Sequence, residues 1–431
     1  MSPFFTGIIG IAVMISMLFL GVHIGVAMSL VGLAGIFFLT SVKAGLPVIA
    51  TVFYSNMASY TMSVVPLFVG MGILCSYAGM SKGLFSTAYK WVGAFRGGLS
   101  IATVAACAGF AAVSGTSVGT AATIGKIALP EMKKYKYDGR LATGCVAAGG
   151  TLGILIPPST VFIIYGLLTE QSIGKLFVAG ILPGVLLSSL FILTVILMTR
   201  KNTELGPPGP RTSLREKITS LKDVWSVLFL FVTVIGGLYL GVFTPTEAGG
   251  IGAFLALFIG IITGKLNWSN LGAAFLEVTH TTAMIFLIVI GSMIFNVFMA
   301  VSQFPTELSD FLSGLQVNRY LIFVGMVCIY LILGCLMDMF AMLVLTIPVF
   351  FPIIKTLGFD PIWFGVVIVI MMEQALITPP VGLNVYVISG MAKDVPMGTI
   401  FRGIFPFWIA MLVCVLILTI FPQIALFLVN F

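Results

Sequence analysis

Charge is scarce in this chain. Only 8% of its 431 residues are Asp, Glu, Lys or Arg, against about 25% in soluble domains, which excludes an ordinary soluble fold. Histidine is almost missing: His23 and His280 lie far apart with no motif around either. A membrane enzyme built on a His/Asp/Glu or Ser/Lys constellation therefore has no visible basis. The six cysteines are scattered through apolar segments without a CxxC spacing, and they read as small buried hydrophobes rather than metal ligands or disulfides. No alternation with a period of two runs through ten-residue segments, so an outer-membrane barrel is excluded. Nor is there a nucleotide-binding domain. Gly119–Lys126 reads GTAATIGK, with five residues between the glycines and Ile127 in place of the Mg²⁺-binding hydroxyl, so it is not a P-loop. ATP-driven transport is set aside.

What remains is apolar. Hydrophobic residues make up 59% of the chain and mean hydropathy is +1.18, which indicates a polytopic all-α membrane protein. The net charge of +7 would suggest nucleic acid in a soluble chain. Here the basic residues cluster between apolar segments, where cytoplasmic loops and anionic lipid headgroups account for them. The apolar N-terminal stretch begins at Pro3 without a basic region and runs to Leu39. It is too long for a signal peptide, so it is expected to stay in the membrane.

Gly97–Gly125 is the most informative stretch. It is longer than the about 20 residues of one span and too short for two. Lys82, Lys90 and Arg96 precede it, and Lys126, Lys133, Lys134, Lys136 and Arg140 follow it. If both flanks face the cytoplasm, the chain goes in and returns on the same side. That is a re-entrant hairpin with a polar tip, Ser114-Gly115-Thr116-Ser117, tolerated only where protein or a cavity surrounds it. Before it, residues 81–98 place Leu84, Phe85, Ala88, Trp91, Val92 and Phe95 on one helical stripe, an amphipathic arm at the interface. After it, residues 141–169 carry Pro157-Pro158, which interrupts a helix outright; two half-helices with an unwound joint are expected. Residues 200–223, rich in Lys, Arg and Pro, form a hydrophilic cytoplasmic linker. Gly21-Val22-His23-Ile24-Gly25 breaks the first apolar stretch, with His23 a packed polar residue and Gly21/Gly25 a helix-packing pair. Trp225, Trp268, Trp363 and Trp408 fall near segment ends, as an aromatic belt requires.

The layout then repeats. Pro157-Pro158 recurs as Pro379-Pro380, Pro130 as Pro352, and Thr116 falls on Asp338, all at an offset of 222. The second hairpin is 320–354 and the second broken helix 362–392. The loop after the first hairpin is basic, whereas Lys355–Pro361 carries one residue of each sign. Two such halves, 1–199 and 224–431, with opposite orientation are the inverted-repeat pattern of secondary transporters. These bind substrate and ions near the midplane at broken elements. A channel does not need two buried hairpins. Unwound backbone supplies oxygen ligands to Na⁺ in such folds, and the expected donors are Gly153, Ile156 and Pro158 in one half and Ala375, Thr378 and Val381 in the other. Ser114, Gly115, Ser117 and Gly334 at the tips complete the two sets. Asp338 is a functional candidate because an intramembrane carboxylate is costly. Glu373 is also intramembrane by position, and could instead face an interface or a pairing partner.

Five motifs stand in order: Ser114-Gly115-Thr116-Ser117, Leu155-Ile156-Pro157-Pro158-Ser159, the run from Leu176 to Gly184, Thr244-Pro245-Thr246-Glu247-Ala248, and the run from Ile377 to Asn384. With them the chain resembles, over essentially its full length, the large membrane subunit of tripartite ATP-independent periplasmic (TRAP) transporters. The first tip departs from the family pattern, since Val118-Gly119 follows where a second serine and a small-acidic pair are frequent. The resemblance implies Na⁺-coupled uptake of an organic acid, such as sialic acid or a C4-dicarboxylate, across the bacterial inner membrane by an elevator movement. It implies no cofactor beyond the coupling ion. It also implies a small four-helix membrane subunit, expected as a separate polypeptide, and a periplasmic substrate-binding protein. Thr116, Ser159, Asp338 and Asn384 are the expected substrate neighbourhood, with Asp338 orienting donors or supporting a cation. The alternative is a stand-alone Na⁺/carboxylate symporter of the same fold, which needs no binding protein.

Overall fold

The computed structural model describes residues 2–314 and 317–430, and no strand occurs among them. The first half comprises α1 (Pro3–Phe19), α2 (Ile24–Leu39), α3 (Val42–Met57), α4 (Val64–Tyr77), α5 (Met80–Val92), the hairpin α6 (Gly98–Ser114) and α7 (Ser117–Lys134), the broken helix α8 (Gly139–Leu155) and α9 (Thr160–Thr169), and α10 (Ile173–Lys201). A short α11 (Leu214–Ser220) lies in the linker. The second half comprises α12 (Trp225–Phe231), continued through a π-helical turn into α13 (Gly237–Tyr239), then α14 (Pro245–Ile262), α15 (Trp268–Val301) and α16 (Phe304–Gly314). The hairpin α17 (Arg319–Leu336) and α18 (Met339–Thr356) follows, then the broken helix α19 (Pro361–Ala375) and α20 (Leu383–Met391), α21 (Met397–Ile420) and α22 (Gln423–Leu426). Among the described residues seven single helices are long and apolar enough to cross a membrane, or nine spans if each of two bent pairs counts as one.

The 222-residue offset reaches further than the proline pairs. Moved by that number, α6 and α7 fall on α17 and α18, and α8 and α9 on α19 and α20. The same shift carries α2 onto α14, α5 onto α16, and α3 with α4 onto the single long α15. Packing follows the repeat by exchange: α2 crosses α15, and its counterpart α14 crosses α4. Glycine permits the first crossing. A Cβ on Gly25 would lie 2.5 Å from Leu287 O, and one on Gly291 only 2.2 Å from Gly25 O. Gly21 does a different job, with φ +80° and no atom within 4 Å of an added Cβ, so it makes the turn between α1 and α2.

The two broken helices run antiparallel. At one end Tyr165 on α9 donates its hydroxyl to Pro361 O, at the start of α19, over 2.6 Å. At the other, Lys133 near the end of α7 pairs with Asp394 just beyond α20 at 2.8 Å, and Val395 packs on Gly139 at the start of α8. α8 and α9 bend by 41° at their joint, and both Pro157-Pro158 and Pro379-Pro380 are cis. Every residue of α19 except Pro361 is buried, as is most of α8, whereas Leu193, Ile196 and Leu197 on α10 and Leu321, Val324 and Ile332 on α17 are exposed. Apolar residues on the outside and packed protein around the broken helices are what a lipid solvent demands.

Several local expectations change. The first hairpin's second arm runs on to Lys134, so most of the basic flank is helical. The arm ends at Val92, and it packs on the first hairpin with Phe85 buried while Trp91 and Phe95 stay exposed. The linker is not loose. α11 carries a capping box between Ser213 and Glu216, and Thr87 donates to Ser220 O at 2.8 Å and Trp91 Nε1 to Lys217 O at 3.2 Å. Trp225 and Trp268 are exposed, as belt residues are, but Trp363 is 2% exposed and donates to Leu418 O. Its indole sits inside protein because the repeat, not the lipid, surrounds α19.

Candidate functional site

The two hairpin tips face α1, α2, α4 and α15 across a cavity of about 840 Å³. Thr116, Ser117, Val118 and Gly119 line it from the first tip, and Met337, Asp338 and Met339 from the second. Thr160 and Leu383, the opening residues of α9 and α20, join them. His23, between α1 and α2, and Glu277 on α15 line it as well, and Glu277 accepts a hydrogen bond from Tyr77 at 3.0 Å.

The first tip is closely held. Gly115 has φ +65°, the left-handed conformation in which a glycine ends a helix at least cost. Its carbonyl accepts from Thr160 Oγ1 at 3.1 Å. Thr120 Oγ1 donates to Thr116 O at 2.8 Å and shares a 2.6 Å hydrogen bond with Ser114 Oγ. Three close approaches seat this loop. A Cβ on Gly153 would stand 2.3 Å from Thr116 O, one on Gly72 2.2 Å from Ser114 O, and one on Gly115 3.0 Å from Pro158 O. The carbonyl of Gly115 thus accepts from both the amide and the hydroxyl of Thr160, and that of Thr116 from both the amide and the hydroxyl of Thr120.

The second tip is built differently. Asp338 caps α18, its Oδ1 accepting from Phe340 N at 2.8 Å and Ala341 N at 3.1 Å. At the equivalent place Thr116 makes no side-chain cap to α7. One inward-pointing helix N-terminus is therefore already met by a carboxylate, while the other presents uncapped amides beside the cavity. Helix N-termini carry partial positive charge and favour anions.

The remaining candidates take various positions. Ser159 is fully buried and caps α9 by accepting from Phe162 N at 3.3 Å. Asn384 is fully buried too. Its Nδ2 donates to Ser117 Oγ at 2.9 Å and Ala147 O at 3.1 Å, so it ties α20 to the first tip rather than lining the cavity. Gly334 packs on Ala375, 3.1 Å from its Cβ by the same construction. Thr378 donates to Gln374 O at 2.6 Å and accepts from Trp408 Nε1 at 3.1 Å. Ile156 and Val381 are partly exposed at the two joints. The structure thus gathers Ser114, Gly115, Thr116, Gly153 and Pro158 around the first tip, with Ser117 and Asn384 beside them. Thr116, Ser117 and Asp338 share the cavity, and Gly334, Ala375, Thr378 and Val381 lie apart at the second broken helix.

Sequence reasoning passed over Thr120 and Thr160, which brace the first tip, and Gln374, which donates to Trp408 O at 3.4 Å. The spacing of Thr116 and Thr120 is one helical turn, a visible cue for the first of these. No cluster of three or more His, Cys, Asp and Glu forms a metal centre among the described residues.

Known proteins give this geometry a family. The model for "Tripartite ATP-independent periplasmic transporter, DctM component" matches residues 11–424. The chain is 36% identical over 378 residues to the C4-dicarboxylate TRAP transporter large permease DctM of Pseudomonas aeruginosa, covering 88% of each chain. It is 31% identical over 415 residues to the sialic acid TRAP transporter large permease SiaM of Vibrio cholerae, covering 96% of each. The isethionate TRAP transporter permease DctMQ of Oleidesulfovibrio alaskensis is 32% identical over 414 residues, and the chain spans 64% of its length. In fold the chain is similar to the transporter YdaH of Alcanivorax borkumensis, with TM-score 0.62 at 16% identity over 87% of this chain and 88% of that one. MtrF of Neisseria gonorrhoeae follows at TM-score 0.57 and 14% identity, over 91% of this chain and 85% of that one. Two inverted halves, two tips at one cavity and these relatives lead to one conclusion: the chain belongs to the DctM family, the large membrane permeases of tripartite ATP-independent periplasmic transporters.

Proposed function

We propose that this permease carries an organic acid anion inward across the bacterial inner membrane, coupled to Na⁺. The observation that supports it best is the unequal pair of helix N-termini at the cavity. Asp338 neutralises the start of α18, whereas the start of α7 at Thr116 and Ser117 has no cap and faces the cavity. A carboxylate bound there would receive the orphan amides that no side chain satisfies. Both carboxylate classes named for the relatives, C4-dicarboxylates and sialic acid, have the required charge.

Na⁺ would be cargo alongside the anion. The carbonyls of Gly115 and Thr116, with Ser114 and Ser117, form the oxygen-rich set nearest the anion site, and the backbone beside Pro379-Pro380 forms the other. The transport core comprises the hairpins and broken helices and moves as an elevator against α2, α4, α14 and α15. The partners are a small four-helix membrane subunit and a periplasmic binding protein. One relative carries the fused name DctMQ and is longer than this chain, which fits the first of these.

The test is uptake in proteoliposomes that hold the permease with its small subunit, with the binding protein added outside. An imposed Na⁺ gradient should drive accumulation of a labelled carboxylate, and dissipating it should stop accumulation. Uptake that ignores Na⁺ and requires ATP would sink this reading. Uptake by the permease alone would remove the partners from it.

A further inference from the structure

A second cavity, of about 1060 Å³, opens at the end of the first hairpin opposite its tip. None of its lining residues is shared with the cavity between the tips. Lys126 and Lys133 line it from α7, about 14 and 24 Å along the helix from Ser117 at a rise of about 1.5 Å per residue. Arg140 lines it from the start of α8 and Arg402 from α21.

The cavity answers few of these cations. Its two acids are Asp138 and Asp394. Asp394 pairs with Lys133 at 2.8 Å, and Asp138 caps α8 by accepting from Arg140 N at 2.8 Å. That ion pair is the only one among the described residues, so Lys126, Arg140 and Arg402 have no carboxylate partner there. Arg140 is half-buried, and its Nε is buried with no acceptor among the described residues. A buried donor without an acceptor is destabilising unless something from outside the chain supplies one.

Topology alone does not account for these charges. Basic residues collect in cytoplasmic loops because they resist translocation, but that requires neither a cavity nor a buried guanidinium nitrogen. The repeat makes the contrast. At the offset of 222, Lys133 falls on Lys355 and Asp138 on Asp360. Asp360 caps α19 in the same way, accepting from Ile362 N at 2.8 Å and Trp363 N at 3.0 Å. Lys126, Arg140 and Arg402 fall instead on Pro348, Ile362 and Gly180. The residues that shape the helix ends are kept in both halves, and three further cations stand at one end only.

The neighbouring surface indicates what these cations meet. Phe405, Ile409, Val413, Leu416 and Ile420 on α21 are exposed, and with Arg402 they follow one stripe at steps of three and four residues. α21 is long and apolar enough to span the membrane. An apolar stripe headed by a cation matches a lipid, with acyl chains along the helix and the headgroup at the interface. Basic pockets between membrane helices on the cytoplasmic side suit phosphate headgroups, and the planar guanidinium fork fits phosphate oxygens.

We propose that this cavity holds the headgroup of an anionic phospholipid, its phosphate between Arg140 and Arg402 and its acyl chains along α21. Lys126, exposed on α7, adds attraction at little desolvation cost. A lipid held there joins α7, α8 and α21 at their cytoplasmic ends. The assignment does not depend on which ion or substrate the permease carries.

The test is native mass spectrometry of the purified transporter titrated with phosphatidylglycerol or with phosphatidylcholine. The wild-type protein should bind phosphatidylglycerol in preference. Arg140→Gln/Arg402→Gln should weaken that binding roughly thirtyfold. Arg211→Gln/Arg215→Gln, which removes two charges from exposed linker positions, should leave it within about twofold. If the first variant does not fold, Lys126→Gln decides, with an expected loss of about fivefold. Equal affinity for the two lipids, an equal loss in the linker variant, or undiminished binding in a folded cavity variant overturns the proposal. Displacement of the lipid by an equal concentration of inorganic phosphate makes the occupant a soluble anion and overturns the assignment to lipid.

Discussion

Asp338 and Thr116 hold equivalent places in the two halves and do opposite electrostatic work. The carboxylate of Asp338 already serves two amides of α18, and it also lines the cavity. Replacing it by Asn keeps a side-chain oxygen for the cap, which limits the stability cost to a few tenths of a kcal/mol, while Ala removes the cap and costs about 1 kcal/mol. We expect Asp338→Asn to lower uptake by roughly tenfold through the lost charge, with an unchanged melting temperature. Full transport by that variant would show that the residue only begins a helix. Asp338 was visible in the sequence because an acid between apolar runs is conspicuous. Its capping role was not, since that depends on where α17 stops.

At the scale of elements, the linker shows how a hydrophilic segment becomes part of the fold. Glu216 is held below its ordinary value chiefly by the backbone amide of Ser213, then by its hydroxyl. With the folded value below the unfolded one, the capping box helps α11 above the ordinary Glu range near about 4.3 and is lost as pH falls through the folded value. Hydrogen exchange at residues 214–217 should therefore accelerate as pH is lowered through that range, after correction for intrinsic exchange, and Ser213→Ala should show the faster rate already at neutral pH. An unchanged rate in Ser213→Ala would mean that packing on α5, through Thr87 and Trp91, holds the helix alone. Charge and proline content marked residues 200–223 as hydrophilic, but attachment to α5 depends on long-range hydrogen bonds that no local pattern encodes.

For the whole molecule, the elevator proposal requires the hairpins to slide past α4 and α15. Ser76 on α4 and Thr123 on α7 face each other, their hydroxyl oxygens 3.2 Å apart. A Ser76→Cys/Thr123→Cys protein should form a disulfide on mild oxidation, since the two side chains already meet at their γ atoms, where the sulfurs would stand. Oxidation should then stop uptake and reduction restore it. Uptake by fully cross-linked protein would exclude movement of the first hairpin against α4.

The sequence by itself determined the class of molecule, the two hairpins, the two broken helices and their repeat. Each of these rests on local physics: apolar length against bilayer thickness, proline against the helix, and basic flanks against translocation. It also carried enough ordered motifs to point to the family. Tertiary structure decided which polar groups meet. Asn384 reaches Ser117 across 267 positions of chain, and Gly153 makes room for Thr116 only because α7 lies against α8. It also decided that Trp363 faces protein instead of lipid, and that Glu373 is fully buried. These are outcomes of how helices cross, and crossing is set by surfaces from distant parts of the chain. The first hairpin was legible as an anomaly of length; what surrounds its tip had to be folded into place.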